Sequence, residues 1–233
     1  MLKLILIIAL SFLPTVAGAQ QVGLIEHTRS GEPDLSAFYS YSRADFDPKD
    51  NGGEVEQLIN QQLGGRISYR FDDRFGIYGI FGSTDTEFGD TDVEDGNVYG
   101  GGFQYVLEPD PDLYLKLTAA YFEHDKQNYR NGSGSLEIRN DWQTGVILGR
   151  ITERARGFET VDSYHSYFGI IYSGREIRLQ NTDQLTYELD EYAGLSLTAG
   201  FSFTVADYLD LEVEGQGGAI EALSGRLIYY FGS

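Results

Sequence analysis

The chain has 233 residues and no cysteine, which excludes a disulfide framework, thiolate metal sites and cysteine nucleophiles. Its 36 acidic residues outweigh 17 basic ones, for a net charge of −19, and this argues against nucleic acid, whose phosphates need a basic surface. Glycine (29), tyrosine (17) and phenylalanine (14) are abundant, and the length suits one domain.

The first segment reads as an export signal. Lys3 supplies a positive start, residues 4–13 are apolar apart from Ser11, and Ala17-Gly18-Ala19 fits the small-x-small cleavage pattern. The apolar run is too short to span a bilayer, which needs roughly 20 residues. Cleavage after Ala19 is expected, and no cysteine follows to carry a lipid. Residues 20–33 are polar and read as a periplasmic lead-in to a barrel domain over 34–233.

From there period two dominates. In 192–205, Ala193, Leu195, Leu197, Ala199, Phe201, Phe203 and Val205 share one face, and Gly194, Ser196, Thr198, Gly200, Ser202 and Thr204 the other. An amphipathic helix cannot produce that alternation. Ten strands are predicted, near 34–45, 61–72, 75–84, 97–107, 113–125, 135–151, 162–178, 190–205, 208–216 and 219–231, with eight as the alternative count. Gly76, Gly79 and Gly82 blur the third. The connections alternate between short ones, such as 72–74, 108–112 and 206–207, and longer ones near 46–60, 85–96, 126–134 and 179–189. Short periplasmic turns and longer external loops on an even strand count are the marks of an outer-membrane barrel. The fold class expected is therefore all-β, a closed antiparallel transmembrane β-barrel. Lipid forbids unpaired strand edges, which forces closure.

The last strand carries Leu227, Tyr229 and Phe231 on one face. Here the chain resembles bacterial outer-membrane β-barrel proteins, broadly the small porin-like and opacity-protein group. The resemblance implies a final strand closing on Phe231 and read by the barrel assembly machinery, although Gly232 and Ser233 follow it in this chain. It also implies outer-membrane lipid as a partner and the outer membrane as the location.

The inward faces carry charge of both signs. Arg66, Arg70, Lys116, Glu137, Arg139, Asp141, Asp210, Glu212, Glu214 and Arg226 are the candidate lumen charges. A barrel of about eight strands is just filled by side chains, whereas 16–18 strands leave a channel, so a paired and hydrated plug is expected. Asp90, Asp92 and Asp95 lie in an acidic loop that only approximates Ca²⁺-loop spacing, since Gly96 falls one place late. A solvated loop is the simpler reading, with divalent cations as a partner at most. No cofactor motif is present.

The leading expectation is a non-catalytic barrel with a structural, surface-interaction or minor solute-diffusion role. One alternative is a rim-site hydrolase. His124, near Asp85 and Asp125, could mimic the Asp–His pair of omptin-like proteases; a lipid hydrolase would use His165 and Ser166, whose opposite faces count against a shared site. The other alternative is a soluble periplasmic barrel holding an apolar ligand.

Overall fold

The computed structural model describes residues 31, 33–46, 56–89, 91–110, 112–130, 134–153, 163–181, 186–206 and 208–231. The expected signal peptide and all of the lead-in except Gly31 and Pro33 lie outside them.

Ten long strands form the wall: β1 (Pro33–Phe46), β2 (Glu56–Arg70), β3 (Phe75–Phe88), β5 (Gly96–Asp110), β6 (Leu113–His124), β8 (Gly134–Glu153), β9 (Ser163–Asn181), β10 (Thr186–Ala206), β11 (Leu209–Gly218) and β12 (Glu221–Tyr230). Two-residue strands β4 (Thr91–Asp92) and β7 (Gln127–Asn128) sit in the connections. Each long strand pairs antiparallel with its neighbour in sequence, and β1 pairs with β12 from Asp34↔Tyr230 to Arg43↔Glu221, which closes the barrel.

The alternation read from the sequence is the alternation of the wall. Leu63, Phe81, Phe168, Leu195 and Leu197 point outward, each more than 60% exposed, while Ser196, Thr198, Thr84, Gln104 and Arg66 point inward and are buried. That polarity is the inverse of a water-soluble barrel. A continuous apolar exterior is stable only against lipid. Aromatic residues flank the belt at both ends. Tyr69, Phe71, Phe75, Tyr208, Tyr229 and Phe231 gather at the turn end, joined by edge contacts such as Tyr229–Phe231 at 5.1 Å. Trp142 and Tyr172 make a T-shaped pair at 5.3 Å toward the loop end.

The abundant glycine has a packing reason. Tyr114, Tyr167 and Tyr78 face the lumen opposite Gly149, Gly200 and Gly102 of the adjacent strand. A Cβ on Gly149 would lie 2.0 Å from Cζ of Tyr114, and one on Gly200 2.4 Å from the Tyr167 hydroxyl. The ring lies across the hole left by the missing side chain, so a narrow bore holds large aromatics. Outside the barrel Trp142 uses Gly174 in the same way.

Turns at one end are tight. Over 71–74 the Asp72 carboxylate accepts from the backbone N–H of Phe75 and of Arg74, each at 2.7 Å, and these bonds hold its pKa below the usual aspartate range. At the other end the strands run further than the sequence pattern suggested. β2 begins at Glu56, β3 continues to Phe88, and β9 and β10 extend to Asn181 and from Thr186, into stretches expected to be loops. Above the apolar belt the outer face is polar, so the alternation that marks a lipid-facing strand disappears although the pairing continues.

Candidate functional site in the barrel lumen

Among the described residues ten charged side chains are buried, and they balance. The cations are Arg66, Arg70, Lys116, Arg175 and Arg226; the carboxylates are Asp34, Asp141, Asp210, Glu212 and Glu214. Among the described residues, then, the buried charges leave no net sign in the bore.

One belt crosses the turn-side half. β11 presents Asp210, Glu212 and Glu214 at successive inward positions, and β12 places Arg226 opposite Glu212. Arg226 donates to Glu212 through Nε at 2.7 Å and through its terminal nitrogen. The Tyr167 hydroxyl donates to Glu214 and reaches Glu212 at 3.3 Å, and Tyr230 donates to Asp210 at 2.7 Å. Lys116 is buried on β6. Arg66 lies over the Tyr78 ring, 3.8 Å from its centroid, and donates to the Ser68 hydroxyl at 3.1 Å. Arg70 donates to the backbone carbonyl of Asp73. Fully buried charges need such partners, because desolvating each one alone costs several kcal/mol.

A second cluster lies nearer the loop end. His124 Nε2 is 2.8 Å from Asp141 Oδ2, and Arg175 donates to the same oxygen at 2.9 Å. All three side chains are 2% exposed or less. Asp141 reaches the lumen because β8 shifts register against β9 between Arg139 and Trp142, around Asn140 at φ 47°. Asparagine tolerates that left-handed backbone. The bulge inverts the parity above it. Glu137 and Arg139 therefore do not join the lumen charges; they pair with each other at 2.8 Å, 27% and 40% exposed. Sequence alternation alone could not place that bulge, and it also missed Arg175, which sits in the mixed run Gly174-Arg175-Glu176-Ile177.

Above this cluster the inward side chains turn apolar. Phe46, Leu58, Phe88, Val93, Leu136, Ile138, Ile177 and Ile220 pack together at the loop end, each 4% exposed or less. They come from seven different elements of the wall and its connections. Ile220 reaches in because the β11–β12 tip is pinned: Ser196 Oγ accepts from Ile220 N at 3.0 Å, and Ala219 N donates to Leu195 O at 3.0 Å.

Apart from His124, the remaining sequence candidates lie outside the bore. His124 meets Asp141 rather than Asp85 or Asp125; Asp125 accepts from Asn97 at 2.6 Å and Asp85 lies 3.8 Å from Arg130. Asp95 is paired with Arg130 as well. Asp90 lies outside the described residues and Asp92 falls in β4. Leu227, Tyr229 and Phe231 are each 45–47% exposed on the lipid face of the closing strand.

This fold is similar to that of an outer membrane channel from Pseudomonas putida F1, at 12% identity and a TM-score of 0.53, over 91% of this chain and 100% of that one. The translocator domain of autotransporter NalP from Neisseria meningitidis aligns at 11% identity and a TM-score of 0.47, over 89% and 91% of the two chains. OprG from Pseudomonas aeruginosa aligns at 11% identity and 0.42, over 88% and 98%. At such identities the likeness speaks for the fold alone, a transmembrane barrel of the outer-membrane kind. No protein-family model matches the chain, and no curated protein matches it in sequence.

Proposed function

We propose that this chain is a closed, non-catalytic barrel of the bacterial outer membrane. It is exported as a precursor cut after Ala19, inserted by the barrel assembly machinery through its Leu227, Tyr229 and Phe231 strand, and works through its external rim rather than its bore. One observation carries this reading: an apolar cap from Phe46 to Ile220 sits over a lumen whose described buried charges balance in number. Water and ions cross an apolar constriction only by wetting it, which is unfavourable at rest. The belt beneath holds its side chains in the Arg226–Glu212 ion pair and the Tyr167–Glu214 hydrogen bond. The turn-side girdle of Tyr229 and Phe231 then faces the periplasm, and the extended ends of β8, β9 and β10 stand in the external medium.

A rim hydrolase is the second reading, because His124 does have a carboxylate partner. Its imidazole is 0% exposed beneath the cap, and a general base must come within hydrogen-bond reach of its substrate. Burial favours the structural role.

Planar-bilayer recording of the refolded protein tests the main reading. Only rare, small openings are expected. Steady conductance of porin size would replace the closed barrel with a diffusion channel.

A further inference from the structure

Two of the buried cap residues come from connections rather than from wall strands. Ile220 is pinned by Ser196 of β10. Val93 belongs to the connection between β4 and β5, and its side chain is fully buried. Val93 and Glu94 reach the connection between β6 and β8, although β5 and β6 stand between the two in the wall. Val93 forms an isolated antiparallel bridge with Tyr129, and Glu94 N donates to Asn128 O at 2.8 Å. The far connection is itself anchored, because β7 pairs with β8 through Gln127↔Leu136 and Asn128↔Ser135. Residues 93–95 thus form a strap, tied to the anchored side and carrying the Val93 side chain into the cap.

Arg130 holds the strap down. Its Nε donates to the Val93 carbonyl at 2.9 Å, and a terminal nitrogen donates to the Asp95 carboxylate and lies 3.8 Å from that of Asp85 in β3. The side chains of Arg130, Asp85 and Asp95 are 42%, 51% and 71% exposed, so water and salt weaken both ion pairs. Seating the strap also works against one buried group. Gln127 is buried, and neither its amide nitrogen nor its amide oxygen has a hydrogen-bond partner among the described residues. It packs against the foot of the strap, where a Cβ on Gly96 would fall 2.8 Å from Gln127 Nε2. A buried amide left unpaired is destabilising. The strap is therefore held by exposed charges and opposed by a desolvated amide, unlike the wall strands with their continuous ladders.

We propose that residues 93–95 are a gate strap latched by Arg130, and that release of the latch withdraws Val93 from the apolar cap and opens the cap to the external medium. Release lets water reach Gln127, which offsets part of the lost contacts. Ionic strength shifts the balance, because the latch is made of exposed charges. The proposal rests on the reading of the barrel as closed by its cap and names the element behind its rare openings.

The chain has no cysteine, so a single introduced one reports on the strap. Val93→Cys, refolded into nanodiscs and checked for heat-modifiable mobility, should react slowly with a charged, water-soluble maleimide. Adding Arg130→Gln should raise the rate about tenfold or more. Added salt should speed the reaction while Arg130 is present and change it little once Arg130 is replaced. Ile147→Cys is the control: that position is equally buried, in a separate cluster with Tyr114 and Tyr167, and should stay slow in both backgrounds. A rate unmoved by Arg130→Gln, or fast labelling of Val93→Cys with Arg130 intact, would overturn the latch. Equal acceleration at Ile147→Cys would overturn it too, since Arg130 would then support the whole barrel. Labelling reads the strap and bilayer recording reads the bore. Unmoved labelling without conductance therefore ends the latch alone, and porin-sized conductance with a protected Val93→Cys ends the closed-barrel reading instead.

Discussion

His124 Nε2 and Asp141 Oδ2 lie 2.8 Å apart inside the barrel, and the same carboxylate oxygen accepts from Arg175. The pair is made by a bulge: without the register shift near Asn140, residue 141 would face outward like Glu137 and Arg139. Both partners of Asp141 are buried, but they are not equivalent. Removing Arg175 leaves a buried carboxylate without its cation, whereas removing His124 deletes one hydrogen bond to a carboxylate that keeps its cation.

Arg175→Ala should therefore destabilise the barrel by ~3–5 kcal/mol and His124→Ala by ~1–3 kcal/mol. Urea unfolding midpoints of the refolded protein in detergent measure both. An inverted order would mean that Asp141 depends more on the imidazole than on the guanidinium. Peptide or lipid turnover that disappears with His124→Ala would make the rim-enzyme reading the primary one.

On the closed-barrel reading the cap and the belt are barriers in series. Phe46 and Phe88, with ring centroids 6.5 Å apart, belong to the first, and Arg226 with Glu212 to the second. Phe88→Ser alone should add little conductance, because the belt still blocks the path, and Arg226→Ala alone should add little for the converse reason. Together they should give clear openings with a preference for cations, since Glu212 loses the guanidinium that offsets its charge. Full conductance from either single substitution would reduce the closure to one barrier.

Gly149 and Tyr114 occupy one volume between them. Gly149→Ala should cost ~1–3 kcal/mol by overpacking, because its Cβ would fall 2.0 Å from the ring. Tyr114→Leu in the same chain should recover part of that loss, a coupling of ~1 kcal/mol or more in a double-mutant cycle. Additive losses would show that the tyrosine relaxes freely and that glycine is not there for the ring.

Leu197 is 67% exposed, the highest value among the large apolar side chains of the belt. Leu197→Arg should impair assembly in lipid by ~2–4 kcal/mol, while Leu197→Phe should be tolerated. Heat-modifiable gel mobility after refolding into vesicles gives the comparison. Equal assembly of both variants would take this face out of the membrane.

How far the sequence reached follows from where two-fold periodicity holds. From Leu113 to Phe122 and from Ala193 to Phe203, apolar residues against lipid alternate with small or polar ones against the bore, and strand direction, faces and closure are legible there. Periodicity is silent once both faces are polar or both apolar. Hence the upper reaches of β2, β3, β9 and β10 read as loops, and the cap residues Leu136, Ile138 and Ile177 gave no sign that they meet across the bore.

The pattern also assumes an unbroken register. Arg66, Lys116, Glu212, Glu214 and Arg226 lie on strands that keep it, and they face inward as their spacing implies. Glu137 and Arg139 lie beyond a bulge that adds one residue, which reverses every side chain above it. The partner of each charge and the apolar cluster over them were decided only by closure. They depend on which strands become neighbours and on how far each runs past the next, and local alternation carries neither quantity.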